Sequence, residues 1–298
     1  ILADCGSSDR TVEIARRYPV TVVRLDPGED RGCGVGAQLA FQSIPADCVY
    51  FYLLDGDMTL APDLLEAGVA WLEAHPDVAG VGGRVIERNL EGQDFQVRAQ
   101  KERGHEGAVD RLDCGGLYRV EALRSVGYFA DRNLHAFEEF DLGARLAARG
   151  WKLARLDRPG VYHFGHVMGG YSLLWRRLRS GYAGGLGEVL RAALGRAHLG
   201  LVLRRLWPLQ LAFVILLWWG ALIACLLAGR LLWAGGLVAA PLAVLAVRRG
   251  SLPLALYSLA AWNMLAVGLV TGFFRSRVAP DRPLAAQTLR AEEQGASC

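Results

Sequence analysis

From Pro208 to about Phe274 this chain of 298 residues contains neither Asp nor Glu, and its few charges are arginines. A bilayer core offers no water to backbone N–H and C=O groups, so an apolar stretch this long must satisfy them internally, as helices. Trp207–Ala228 is a largely apolar run of about 22 residues, enough to cross a hydrocarbon layer, and Leu252–Phe274 is comparable. Leu231–Val247 is shorter and is broken by Gly235, Gly236 and Pro241. Two or three spans fit. Arg230, Arg248, Arg249, Arg275 and Arg277 fall in loops on both sides, so the positive-inside rule does not orient the chain. Upstream of Trp207 the pattern is globular, with charges at regular intervals. The chain therefore reads as a soluble domain joined to a membrane domain.

The formal net charge is only +3, which argues against nucleic acid as the main partner. The cysteines (Cys5, Cys33, Cys48, Cys114, Cys225 and Cys298) show no CxxC spacing. That pattern points away from a zinc site or a disulfide framework and toward free thiols in a reducing compartment.

In the soluble part, Val49-Tyr50-Phe51-Tyr52-Leu53-Leu54 reads as a strand buried on both faces, and it stops at Asp55-Gly56-Asp57. Ligands of open α/β sheets bind beyond the carboxyl ends of strands. Two carboxylates separated by one residue can face a single divalent cation there, and Gly56 permits close approach. The plain alternative is a turn. Ile1-Leu2-Ala3 reads as the tail of another strand, ending at Asp4 in the turn Asp4-Cys5-Gly6-Ser7-Ser8-Asp9. Asp4 is placed to meet a ligand or simply to shape that turn. Val20–Leu25 is a further strand. The glycine-rich loop from Pro27 to Gly36 is not a dinucleotide fingerprint, but it carries Arg31, which has the reach to contact a phosphate.

A helix from Pro62 to about His75 and a strand from Val78 to Ile86 continue the alternation that marks a parallel sheet with covering helices. Asn89–Arg111 is polar and irregular, in the manner of a lid. Glu138, Glu139 and Asp141 open a helix that ends at Gly150. Acids at a helix N-terminus suit the macrodipole, and they equally suit a general base at the edge of a sheet. Lys152–Leu156 and Val161–His166 end the domain, with His163 between aromatics as a core residue or as a ligand beside carboxylates. Tyr171–Leu206 holds seven arginines against one acid, Glu188, with leucines, Trp175 and Tyr182 interleaved. This suits an amphipathic surface against anionic lipid.

Four blocks in order resemble the family 2 glycosyltransferases of GT-A fold. Asp4-Cys5-Gly6-Ser7-Ser8-Asp9-Arg10-Thr11 is similar to their D-D-G-S-x-D-x-T segment, and Leu54-Asp55-Gly56-Asp57 to their D-x-D. Asp113-Cys114-Gly115-Gly116-Leu117-Tyr118-Arg119 is similar to their acceptor-side block. Glu138-Glu139-Phe140-Asp141-Leu142, with Arg145, Gly150 and His163, is similar to their E-D-x-D-L … R … G … H. The resemblance implies a nucleotide-sugar donor, with Asp4, Arg31, Asp55, Gly115 and Gly116 on its side of the site. It implies Mg²⁺ or Mn²⁺ held by Asp57, with Asp55 and His163 as further ligands. It puts the base that deprotonates an acceptor hydroxyl on Glu139. Glu stands there where the family has Asp, so Glu138 and Asp141 stay in play. The Q-x-x-R-W motif of processive synthases has no counterpart at Leu174-Trp175-Arg176-Arg177, which favours single additions.

The expected architecture is thus α/β: a GT-A, Rossmann-like and mostly parallel sheet over residues 1–170, then a basic interfacial region 171–206. Transmembrane helices follow over 207–278, with a disordered tail over 279–298. The expected activity is transfer of a sugar to a lipid-linked or envelope glycan acceptor by a multi-pass membrane protein with a cytoplasmic catalytic domain. A processive synthase and an inactive nucleotide-binding scaffold are the alternatives. In the family a central first strand precedes the block that begins here at Asp4, and the chain starts with Ile rather than Met. Without that strand, either a gap beside the Asp-Gly-Asp strand or its pairing with Ile1–Ala3 is expected, along with poor folding and inactivity.

Overall fold

The computed structural model describes residues 1–88, 107–113, 115–165 and 169–289. The chain divides into two compact units, Ile1–Val167 with Arg277–Cys298, and Met168–Ser276.

The first unit is α/β. Strands β1 (Leu2–Asp4) and β2 (Val22–Leu25) run parallel, and β9 (Ala286–Leu289) lies antiparallel on the other edge of β2. A larger sheet has the order β3 (Tyr50–Leu53), β7 (Gly116–Arg119), β5 (Val78–Glu87), β8 (Lys152–His163), β4 (Met58–Leu60). A short β6 (Gly107–Val109) pairs with the first part of β8. Around these pack helices α1 (Thr11–Ala15), α2 (Cys33–Gln42), α3 (Leu64–Ala74), α4 (Val120–Ser125) and α5 (Glu138–Ala148).

Helix α2 links the two sheets because it is apolar on two faces. Val35 and Leu39 pack with Val23 and Leu25, while Ala37 and Phe41 pack with Phe51 and Phe129. The buried Gln38 Oε1 accepts hydrogen bonds from the backbone N–H groups of Phe129 and Ala130, at 3.0 and 3.1 Å. The α/β class is as expected, but the sheet is mixed rather than mostly parallel. Among the described pairings only β1–β2 and β5–β8 are parallel. Apolar runs report burial, not strand direction, so the antiparallel β7 between β3 and β5 is invisible to that reading. Strand β3 is also less buried than expected: the flanking Val49 is 65% and Leu54 41% exposed. Among the described residues β3 pairs only with β7 and β1 only with β2. Ile1–Ala3 therefore does not pair with the Asp-Gly-Asp strand, and one edge of β3 is left without a described strand.

The two short strands expected at Lys152–Leu156 and Val161–His166 are one, β8, which follows β5 through register shifts. They stay together because two glycines meet: a Cβ on Gly83 would lie 2.5 Å from the Gly160 Cα. The expected lid lies outside the described residues up to position 106.

The tail over 279–298, expected to be disordered, re-enters the first unit in its described part, up to Leu289, and the rest lies outside the described residues. Leu284 is 4% exposed and packs with Val23 and Leu39. The Gln42 side chain donates to the Leu284 carbonyl at 2.8 Å and accepts from the Leu284 N–H at 3.0 Å. Arg277 pairs with the buried Asp131, and Asn133 bonds both the N–H and the C=O of Val278. Leu284 is the one large apolar residue buried in the described part of this segment, so a composition reading sees a polar tail.

The second unit is helical: α6 (Gly170–Arg179), a 3-10 turn at Tyr182–Gly184, α7 (Gly185–Ala193), α8 (Leu199–Arg205), α9 (Trp207–Leu227), α10 (Leu231–Arg249) and α11 (Leu252–Phe273). Helices α9, α10 and α11 are long and apolar enough to cross a membrane. Glu188, the single acid of the basic region, is buried against Arg275, and Arg191 donates to the carbonyls of Phe273 and Arg275 at the end of α11.

Candidate active site

The larger sheet brings three chain segments together at one end of its strands. Beyond β3 the turn Asp55-Gly56-Asp57 is closed by the Met58 N–H on the Asp55 carbonyl at 3.2 Å. It is clipped to the end of β8 by the Phe164 N–H, which donates to the Asp57 carbonyl at 2.9 Å. His163 is the last residue of β8 and Glu87 the last of β5, directly adjacent in register. The His163 ring bridges the two carboxylates: Nε2 is 3.3 Å from Asp57 Oδ2, and Nδ1 is 2.6 Å from Glu87 Oε2. The second oxygen of Glu87 accepts the Gly165 N–H at 3.3 Å. Asp57 is half-exposed, whereas His163 and Glu87 are buried.

This is the layout of a metal-binding histidine whose outer nitrogen is oriented by a second carboxylate. Among the described residues, no group of three or more His, Cys, Asp or Glu side chains stands ready to hold an ion alone. A cation at Asp57 and His163 would thus take its remaining ligands from water or from a bound anion, as Mg²⁺ and its relatives do in phosphate sites. On that criterion the residues present fit a divalent ion shared with a diphosphate. The sequence reading does not single out Glu87. Its only signal is an acid at the carboxyl end of an apolar strand.

Four acids crowd the neighbouring region. Burial raises the Asp55 pKa, and the charge of Asp57 adds to the effect, while His163 opposes it. Glu138 is raised to about 7, chiefly by burial, with Asp55 contributing. Glu139 is raised above its ordinary value, by burial first and then by Glu138, Asp113 and Asp55. Cys33, at the start of α2, belongs to the same cluster; its low-dielectric surroundings and the charges of Glu138, Glu139 and Asp55 push it up to about 12. Helix α5 presents the two glutamates because Phe137, just before it, adopts a left-handed φ of 66° and turns the chain sharply into the first helical turn. Asp113 is held by Arg111 at 2.6 Å and Arg155 at 3.2 Å. The hydroxyl of Tyr52 is buried with no hydrogen-bond partner among the described residues. Its pKa is raised by burial and by Asp55. It is a second functional group that the sequence reading does not single out.

Asp141 does not join this cluster. Its carboxylate accepts from Arg145 Nε at 2.7 Å, and the same guanidinium donates to the carbonyls of Tyr128 and Phe129 at 2.7 Å each. Asp141 is fully buried in that network, one helical turn from Arg145, and so pins α5. Asp4 is also tied into local bonds. Its carboxylate accepts the backbone N–H groups of Gly6 at 3.3 Å and Ser7 at 3.0 Å, and pairs with Arg24 at 3.4 Å. Burial alone would raise its pKa, but the bonds from Ser7 and Gly6 and the charge of Arg24 bring it below the usual value. Asp4 therefore shapes the turn from within.

Arg31 does reach that turn: its guanidinium covers Gly6, where a Cβ would lie 2.5 Å from Nη2. Gly116 opens β7 and Gly115 precedes it. Gly115 has φ +117°, and a Cβ there would lie 3.0 Å from the Leu53 carbonyl, so these glycines let β7 close on β3. Their visible role is packing beside the Asp-Gly-Asp turn.

No curated protein sequence matches the chain. Among solved structures, the chain is similar to a mannosyltransferase, PcManGT of Pyrobaculum calidifontis, in complex with GDP-Man and Mn²⁺. The identity is 20% and the TM-score 0.53, over 91% of this chain and 76% of that one. It is also similar to residues 1–349 of S. aureus TarS, with 17% identity and a TM-score of 0.46, over 63% of this chain. The match spans about half of that TarS chain, 52%. The fold is thus one that a sugar-transferring enzyme also adopts. At the level of sequence, residues 1–127, the segment that builds β1 to β7, match the family described as glycosyl transferase family 2.

Proposed function

We propose that this chain is a membrane-anchored, metal-dependent, inverting glycosyltransferase. It would move a sugar from a nucleotide-sugar donor to a lipid-linked or cell-envelope glycan acceptor, with its catalytic unit on the cytoplasmic side, where nucleotide sugars are made. The observation that carries this reading is the Asp57–His163–Glu87 line at the strand ends, next to the raised carboxyl pair Glu138–Glu139. The family 2 domain and the Mn²⁺-bound relative support it.

A cation held by Asp57 and His163 would neutralise charge on the departing diphosphate. Glu87 keeps the His163 ring turned so that Nε2 faces that position. Arg31 at the Gly6 turn offers a positive charge to the nucleotide phosphates, and the Tyr52 hydroxyl offers an unused donor beside Asp55. An acceptor hydroxyl is a poor nucleophile at neutral pH until a base takes its proton. Glu139 is assigned that step, and Glu138 beside it sets its protonation. The acceptor oxygen bonds to the anomeric carbon as the bond from that carbon to the diphosphate oxygen breaks. A single displacement of this kind inverts the carbon.

The test is a screen of nucleotide sugars by thermal shift with and without Mn²⁺, repeated on Asp57→Asn. The proposal expects stabilisation by at least one nucleotide sugar that depends on Mn²⁺ and is lost in Asp57→Asn while the fold is kept. Unchanged Mn²⁺-linked affinity in that variant would overturn the metal assignment.

A further inference from the structure

The first unit is assembled from both sides of the apolar stretch. Residues up to Gly165 supply eight of its described strands, and the chain after α11 supplies the ninth, β9, which pairs with β2 over four residues. Leu284 lies in the core with Val23, Leu25 and Leu39. Arg277 is paired with Asp131, and Arg132 reaches back to the carbonyls of Arg282 and Pro283 at 3.1 and 3.2 Å. Hydrogen bonds of about 3 Å and a shared core cannot be made through a hydrocarbon layer roughly 30 Å thick. The chain before residue 165 and the chain after residue 277 are therefore on the same face of any membrane.

That condition limits what lies between. Helices α6, α7 and α8 have 10, 9 and 7 residues, about 15 Å or less at 1.5 Å per residue, too short to cross. Only α9, α10 and α11, of 21, 19 and 22 residues, are long enough among the described helices. One crossing or three would leave the two ends on opposite faces. No crossing would leave Leu217, Leu227, Leu232, Trp233 and Val247 in water, all at least two-thirds exposed. On the reading that these helices are membrane segments, we infer that the chain crosses the bilayer twice, and that one of the three long helices enters without crossing. Both chain connections of the catalytic unit, after Gly165 and before Arg277, then lie on one face of the membrane.

The test uses the full chain in sealed membrane vesicles of both orientations. Single cysteines are introduced by Glu13→Cys, Arg230→Cys, Arg249→Cys and Ser276→Cys, all at exposed positions. A membrane-impermeant maleimide reports the accessible face, and labelled peptides are identified by mass, so the native cysteines remain. Detergent calibrates full labelling. The inference expects positions 13 and 276 to label from the same face, and position 230, 249 or both to label from the other. Labelling of 276 from the face opposite to 13, failure of 276 to label from either face, or labelling of all four from one face would each overturn it. Donor binding in the same vesicles is read separately, so loss of transferase function does not touch the result.

Discussion

Glu87 and His163 end neighbouring parallel strands in register, and their side chains meet with His163 Nδ1 2.6 Å from Glu87 Oε2. The contact decides which ring nitrogen faces Asp57. Losing such an outer carboxylate typically costs about 10–100-fold in metal affinity. Glu87→Gln keeps the shape of the side chain and a hydrogen bond but removes the charge. We expect Mn²⁺ affinity, measured by calorimetry with a nucleoside diphosphate present, to fall by about 10–100-fold. The fold, read by circular dichroism, should be kept. Affinity equal to that of the unaltered chain would separate Glu87 from the metal position.

On the proposed mechanism Glu138 and Glu139 are the reacting pair, and Asp141, bonded to Arg145, lies outside it. Glu139→Gln is expected to lower turnover by roughly 10²–10⁴ with donor binding kept. Glu138→Gln removes the neighbour that raises the Glu139 pKa, so the acid limb of the pH–rate profile should move to lower pH. Asp141→Asn breaks a buried ion pair and should cost on the order of 3–5 kcal/mol in stability. If Asp141→Asn reduces turnover at unchanged melting temperature, its structural assignment fails.

Stability should respond to pH through Glu138. Its folded pKa of about 7 exceeds the ordinary value of 4.5, so the folded state binds the proton more tightly. The associated stability is full below pH 4.5 and is lost as pH rises toward 7. Without metal or donor, Glu138→Gln should therefore gain melting temperature relative to the parent chain progressively across that window. A difference that is constant with pH would show that Glu138 does not titrate there.

The returning C-terminal segment is a stability element. Leu284→Ala should cost about 2–5 kcal/mol, as other buried leucines do, and lower the melting temperature of the first unit. Gln42→Ala, which removes both side-chain bonds to the Leu284 backbone, should act in the same direction without touching the segment itself. No change in either variant would return the segment to a dispensable tail.

Local pattern determined much of this protein. The long apolar runs called for two or three membrane-length helices, and strand-like runs ending in Asp55-Gly56-Asp57 and His163 marked residues that meet at one end of the sheet's strands. Helix α5 with its leading acids was equally legible, because capping and periodicity are properties of adjacent residues. Tertiary structure decided what adjacency does not encode. It made Asp141 a partner of Arg145 and Asp4 the centre of a turn, since the direction of a carboxylate depends on which donors the fold brings to it. It put Glu87 behind His163 because β5 and β8, far apart in sequence, pair in parallel and in register. It turned a polar tail into β9, because the open edge of β2 and the site for Leu284 exist only once the rest of the unit has folded.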